Sequence, residues 1–294
     1  MLEPKYSAIW NEAYPQRAVE YTSFVNLRTT GKAVVTDHKM TDFGPLRLKG
    51  EGEAIQFDDP IDGPDQTYTP VRFALGYKVT DEMLKNDLYG QVTKYEKALI
   101  KSAVDGQETI AALLLNNGFS TTAADGFKAT GFDGLQLFST AHPRLDGGAN
   151  QRNRPSTDVD ISPTAVQNMY IDFRNLKDDR GRPSLIRPKL LIISPEDEFT
   201  AQEILQSEYK PGTANNEINA LKGKGLSYMV SSYKGSNTDD WFAIGDMHDL
   251  NFVWETRPRS ATEEDFDSEV IKHKVVQGFA VGFGEWRGTW GSSG

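Results

Sequence analysis

The chain has 294 residues, 38% of them hydrophobic and 11% aromatic, enough to fill one large core or two small ones and too apolar for a disordered chain. Its net charge of −10 and pI near 5.0 argue against a protein that wraps nucleic acid through its phosphates. The absence of cysteine excludes disulfides, thiolate metal sites and cysteine nucleophiles together.

The start, Met1-Leu2-Glu3-Pro4-Lys5, lacks the basic and apolar stretches of a signal peptide. The longest apolar runs, such as Leu190 to Ile193, are too short to cross a bilayer. A soluble protein made in a cytoplasm is the expectation. Residues 1–36 read as a short helix followed by an arm, with Trp10 and Tyr14 on one helix face.

Glycine and proline punctuate residues 37–79, at Gly44-Pro45, Gly50, Gly52, Pro60, Gly63-Pro64 and Pro70. Short extended stretches, Leu46 to Leu48 and Tyr68 to Leu75, lie between them. The pattern predicts the legs of a long β-ribbon with its tip near Asp58 to Gln66. So long a turn-rich segment is more often a binding excursion than part of a compact body.

The most regular segment follows. Thr80 can cap a helix carrying Asp81 and Glu82 in its first turn. Apolar or small residues at Leu84, Leu88, Val92, Tyr95, Leu99, Ala103, Gly106, Ile110 and Leu114 keep a period near 3.6, and Gly118 marks a stop. Unbroken, that helix is roughly 55 Å long. Gly90 and Gly106 each cost about 1 kcal/mol against alanine and mark places for a kink or break. A spine of this length predicts an elongated molecule.

Residues 120–160 are rich in turn formers. Ser162-Pro163 opens a second helix to about Leu176, Lys189 to Ile193 reads as a buried strand, and Ser194-Pro195-Glu196-Asp197 opens a third helix bearing Phe199, Ala201, Ile204 and Leu205. The remainder reads as strands at 227–231, 241–244, 252–255, 270–276 and 279–286. The fold class is α+β, without an internal repeat.

Chemistry-bearing motifs are scarce. Gly282, Gly284 and Gly288 miss the dinucleotide fingerprint by one position, and no helix follows them. Asp58-Asp59-Pro60-Ile61-Asp62-Gly63 has proline at the third position of a calcium loop and Thr69 where the bidentate glutamate belongs. His38, His142, His248 and His273 form no ligand spacing. Ser139 lies three residues from His142, but no nucleophile elbow surrounds it. The acidic run Glu263, Glu264, Asp265, Asp267 and Glu269 is a solvated face, or a partner for a cation or basic neighbour. No catalytic, cofactor-binding or metal site is predicted, and no cofactor.

The order of elements resembles the major capsid fold of tailed phages, the Hong Kong 97 type. Three stretches carry a closer resemblance to the Mu-like major head subunits: Phe132-Asp133-Gly134-Leu135-Gln136-Leu137-Phe138-Ser139-Thr140-Ala141-His142-Pro143, Pro188 to Pro195 with the helix containing Ala201-Gln202-Glu203-Ile204-Leu205, and Gly282-Phe283-Gly284-Glu285-Trp286.

The resemblance implies an arm at 1–36, an extended β-ribbon loop at 37–79, a peripheral domain with the spine helix at 80–155, an axial domain at 156–248, and returning strands at 249–294. It implies a non-enzymatic shell protein of the virion, self-assembling as hexamers and pentamers into an icosahedral capsid in the bacterial host cytoplasm. The shell encloses double-stranded DNA without sequence-specific binding, with a separate scaffold protein and a portal as partners and no membrane. Ribbon and arm are expected to contact neighbouring subunits. Nothing marks a partner for Lys49 in a lysine–asparagine cross-link. An encapsulin-like compartment shell is the alternative within the fold; a soluble acidic hydrolase and a tail-tube or decoration protein are the alternatives outside it.

Overall fold

A computed structural model of the chain describes residue 10 and residues 12–85, 90–210, 217–235, 238–265 and 270–294. Three sheets organise the described residues. The first has the order β1 (Asn26–Thr29), β8 (Leu250–Asp265), β9 (Val270–Phe283), β4 (Val71–Thr80). The second has the order β10 (Thr289–Ser293), β7 (Asp240–Gly245), β5 (Pro188–Ile193), β6 (Ser227–Val230). The third is the two-stranded ribbon of β2 (Val35–Met40) and β3 (Asp62–Tyr68).

Among the described residues these sheets are accompanied by α1 (Asp81–Lys85), α2 (Gln91–Asn116), α3 (Pro163–Asn175) and α4 (Glu198–Gln206). The Thr80 hydroxyl accepts the Met83 N–H at 3.3 Å, as a cap does. The expected single spine helix is interrupted. Gly90, at φ +64°, precedes α2, a backbone turn that an L side chain resists. Helix α2 has 26 residues and so spans about 39 Å. Gly106 causes no break. Gly118 has ordinary φ but leaves room for Phe138, whose ring would lie 2.5 Å from an added Cβ.

Side-chain alternation explains how α2 meets the first sheet. On β9, Ile271, His273, Val275 and Gln277 are buried, whereas Lys272 and Lys274 point to solvent. Leu99, Ile100 and Ala103 of α2 cluster with Val275 and Trp10, and Trp10 stacks on Tyr14 at 5.2 Å as their spacing predicts. The second sheet is buried more completely: every residue of β7 is inside. Its core joins Val166, Met169 and Phe173 of α3, Ala201, Ile204 and Leu205 of α4, and Leu114 and Leu115 of α2 into one cluster.

Several expectations need correction. Leu46 to Leu48 forms no strand, and the stretch from Tyr68 divides at Thr69-Pro70, after which β4 pairs with β9 rather than continuing the ribbon. Asp58 to Gln66 is not the tip: Asp62 to Gln66 already lie in β3. Segments 270–276 and 279–286 are largely one strand, because Gly278 keeps its place between Arg72 and Thr256. Strand β8 outruns Phe252–Glu255. Its register shifts between Thr256 and Arg259, where Pro258 sits without an N–H to offer the ladder. Phe199 is exposed rather than in the core.

Candidate assembly surface

The ribbon legs pair from Val35↔Tyr68 to Met40↔Asp62. Beyond them the chain runs out and back without strands, yet it is tied. Thr41 N–H donates to the Ile61 carbonyl at 3.0 Å, Ile61 N–H to Thr41 Oγ1 at 2.9 Å, and Gly44 N–H to Asp58 at 2.6 Å. Arg47 donates to Gln56 at 2.6 Å, and Gly50 N–H to Glu53 at 2.9 Å. The held loop displays Phe43, Leu46, Leu48, Ile55 and Phe57; Leu48 and Phe57 are 98% and 93% exposed. With Arg180 and Asp146 these side chains line a cleft of about 630 Å³. Large apolar groups concentrated on one exposed loop mark a contact surface.

Charged side chains fix the root of the ribbon. Lys39 on β2 reaches Asp179 at 2.8 Å and Glu285 at 2.6 Å. Arg287 meets the same two carboxylates at 3.1 and 2.9 Å. Burial works against the charge on Asp179, but Arg287 and Lys39 overrule it and hold the carboxyl below the usual range. Likewise burial opposes the charge on Lys39, and Glu285 and Asp179 raise its pKa nonetheless.

The turn after Lys177 closes the clamp. Asp178 accepts the backbone N–H groups of Arg180 and Arg182 at 2.9 and 2.7 Å. Arg180 then donates to the carbonyls of Asp42 and Asp59, on both sides of the ribbon neck, and Arg182 reaches Asp42 at 3.1 Å. Sequence reasoning missed Lys39, Asp179, Arg180, Glu285 and Arg287. The charge-dense turn Asp178-Asp179-Arg180-Gly181-Arg182 was its one visible signal.

The residues singled out as chemical candidates are scattered and satisfied. His142 is buried, stacked on Trp286 at 4.1 Å, with Nδ1 2.6 Å from Asp133 and Nε2 3.1 Å from Asn153. Ser139 Oγ instead accepts the Ala141 N–H at 3.2 Å, so serine and histidine do not form a nucleophile–base pair. His273 is buried beside Glu96 at 2.9 Å and Thr262 at 2.7 Å. His38 is exposed and lies 2.5 Å from Asp65. His248 is pushed down by burial, and its Nδ1 accepts the Leu250 N–H at 3.4 Å.

Asp58 and Asp59 instead meet the Arg180 guanidinium, through the Asp58 carboxylate at 3.4 Å and the Asp59 backbone carbonyl. Among the described residues, no group of three histidine, aspartate or glutamate side chains could hold a metal ion. Gly282 and Gly284 pack against Tyr68 and Phe132, not around a phosphate-sized hollow. Of the acidic run, Asp265 pairs with Lys272 at 2.5 Å, while Asp267 and Glu269 lie outside the described residues. No described helix is long and apolar enough to cross a membrane.

The family model described as phage capsid protein matches residues 64–291. The chain belongs to the phage capsid protein family. Solved structures agree on its fold. The capsid of an empty GTA particle superposes with a TM-score of 0.59 at 9% identity, covering 93% of this chain and 90% of that one. The cyanophage P-SCSP1u capsid gives 0.59 at 9% identity, over 94% and 88%. The bacteriophage JBD30 capsid gives 0.57 at 14% identity, over 77% and 94%. A comparison with curated proteins finds no match. This capsid protein is thus a structural shell protein with the tailed-phage capsid fold, as its element order led one to expect.

Proposed function

We propose that this capsid protein is the major head subunit of a Mu-like tailed phage, assembling as hexamers and pentamers into an icosahedral shell around double-stranded DNA. A separate scaffold protein and a portal are its partners, and assembly takes place in the bacterial host cytoplasm. Residues 35–68 serve as the reaching ribbon, shorter than the expected 37–79 because β4 joins β9; the residues before it serve as arm, tied through β1 to β8, 80–155 as peripheral domain, 156–248 as axial domain and 249–294 as the strands that complete both. The protein has no enzymatic role.

One observation carries this reading: an ordered loop that exposes Phe43, Leu46, Leu48, Ile55 and Phe57 while a buried ion network holds its root. Leaving so much apolar surface in water is unfavourable for an isolated subunit. It becomes favourable when a neighbour covers it, at about 25 cal/mol per Å² buried. Repeated over a closed shell, modest contacts sum to a strong one.

The test is deletion of residues 45–56, which spares the Gly44–Asp58 and Thr41–Ile61 ties. The expected result is a folded subunit that forms no stable shells. Intact shells from the deletion would refute the role given to the ribbon.

A further inference from the structure

Helix α2 carries Lys94, Lys97 and Lys101 on an exposed face, while Glu96, Leu99, Ile100 and Ala103 are buried beneath it. Spacings of three and four residues line the ammonium groups along about 10 Å of helix. Beside them Arg17 borders a cleft of about 660 Å³, lined also by Gln16, Thr93, Lys97 and Lys101, with Glu12 as its one acid. Arg17, Lys94, Lys97 and Lys101 make no ion pair among the described residues. The sheet's solvent face differs, since Arg72 there meets Glu255 at 3.1 Å and Lys272 meets Asp265.

The placement also runs against helix stability. Helix α2 has no acid in its first turn and no base in its last. Lys94 closes the first turn, at the end whose partial positive charge disfavours cations, Lys97 and Lys101 follow beyond its reach, and Asp105 and Glu108 lie toward the other half. Cations set where the helix gains nothing from them, in a chain of net charge −10, call for an anionic partner.

We propose that Arg17, Lys94, Lys97 and Lys101 form a contact surface for the phosphate backbone of double-stranded DNA, without sequence preference. This rests on the reading that the shell encloses duplex DNA. Protein interfaces are anchored by apolar groups and depleted in lysine. Here the neighbouring exposed residues are Gln91, Ala98 and Ser102, and Tyr95 packs edge-on against Tyr77 at 5.8 Å. A row of point charges whose one large exposed apolar neighbour, Tyr95, is already packed on Tyr77 suits phosphates better. Each copy binds weakly against the repulsion of its own acids, and many copies on one wall add their effects.

The experiment is fluorescence anisotropy of a labelled 25-base-pair duplex with the full chain, from about 20 to 200 mM salt. The expected slope of log K against log salt is roughly −3 to −4, about −0.9 per phosphate contacted. The triple variant Lys94→Gln, Lys97→Gln, Lys101→Gln should lose about 2.7 of that slope while its circular dichroism and melting temperature stay unchanged. A control pair on the opposite sheet face, Lys78→Gln with Lys274→Gln, should leave the slope alone.

No wild-type binding at 20 mM salt, an unchanged slope in the triple variant, or a slope that follows the control pair would overturn the proposal. So would a folded triple variant that binds DNA normally yet no longer assembles, which would make the stripe a contact between copies. Failure of the wild type to form particles is a separate readout, and it counts against the enclosing shell.

Discussion

Lys39 and Asp179 are 140 positions apart in the chain and 2.8 Å apart in the fold. Through that contact the leg of the ribbon is tied to the turn that follows α3, and Glu285 and Arg287 complete an alternating square of charge around it. Asp179→Asn leaves Lys39 and Arg287 sharing Glu285 alone in a buried place. The variant should lose about 3 kcal/mol in urea unfolding. Amide exchange in residues 35–68 should rise more than in β7.

Asp133 gives a pH signature. Burial opposes its charge, but the hydrogen bond and charge of His142 hold its carboxyl below the usual aspartate range. A depressed folded pKa means stability that is fully present above the unfolded value and is lost as pH falls through the folded one. Asp133→Asn should therefore be less stable than wild type by about 1–3 kcal/mol at pH 6. The gap should close as pH is lowered from about 4 to 2.5. Urea midpoints across that range check it, and a gap independent of pH would contradict it.

Gly106 lies inside α2 with Gln277 Nε2, at 3.7 Å, the nearest atom to an added Cβ. That is ordinary contact, so Gly106→Ala should raise stability by up to about 1 kcal/mol in thermal unfolding.

Gly288 behaves oppositely. Its φ is +88°, and a Cβ there would run into the carbonyl oxygen of Met247. Gly288→Ala should cost about 3 kcal/mol or more and sharply reduce soluble yield, because the turn into β10 can no longer close.

How much of this was legible varied with the distance over which each signal acts. Caps are local, so Thr80 and Ser162-Pro163 marked their helix starts within a residue; Ser162 Oγ accepts the Ala165 N–H at 3.2 Å. The burial pattern of β5 and β7 was written in runs of apolar residues. Strand β8 was read too short because its far half, from Thr256 to Asp265, alternates polar and charged side chains with little apolar signal. Gly278 made β9 look like two strands.

The ribbon was legible from its glycines and prolines, but its true tip and its ionic root were not. Lys39, Asp179 and Arg287 acquire meaning only when the fold brings them together, and no local pattern announces that. The shell function was reached through resemblance and element order. The exposed loop side chains and buried network now give that reading a physical site.

Electron microscopy of the purified protein after size-exclusion chromatography tests most directly whether this chain builds a closed shell. Alone or with a candidate scaffold protein, it should yield hollow polyhedral particles or hexameric and pentameric rings. A uniform small species under every condition, scaffold included, would contradict the account.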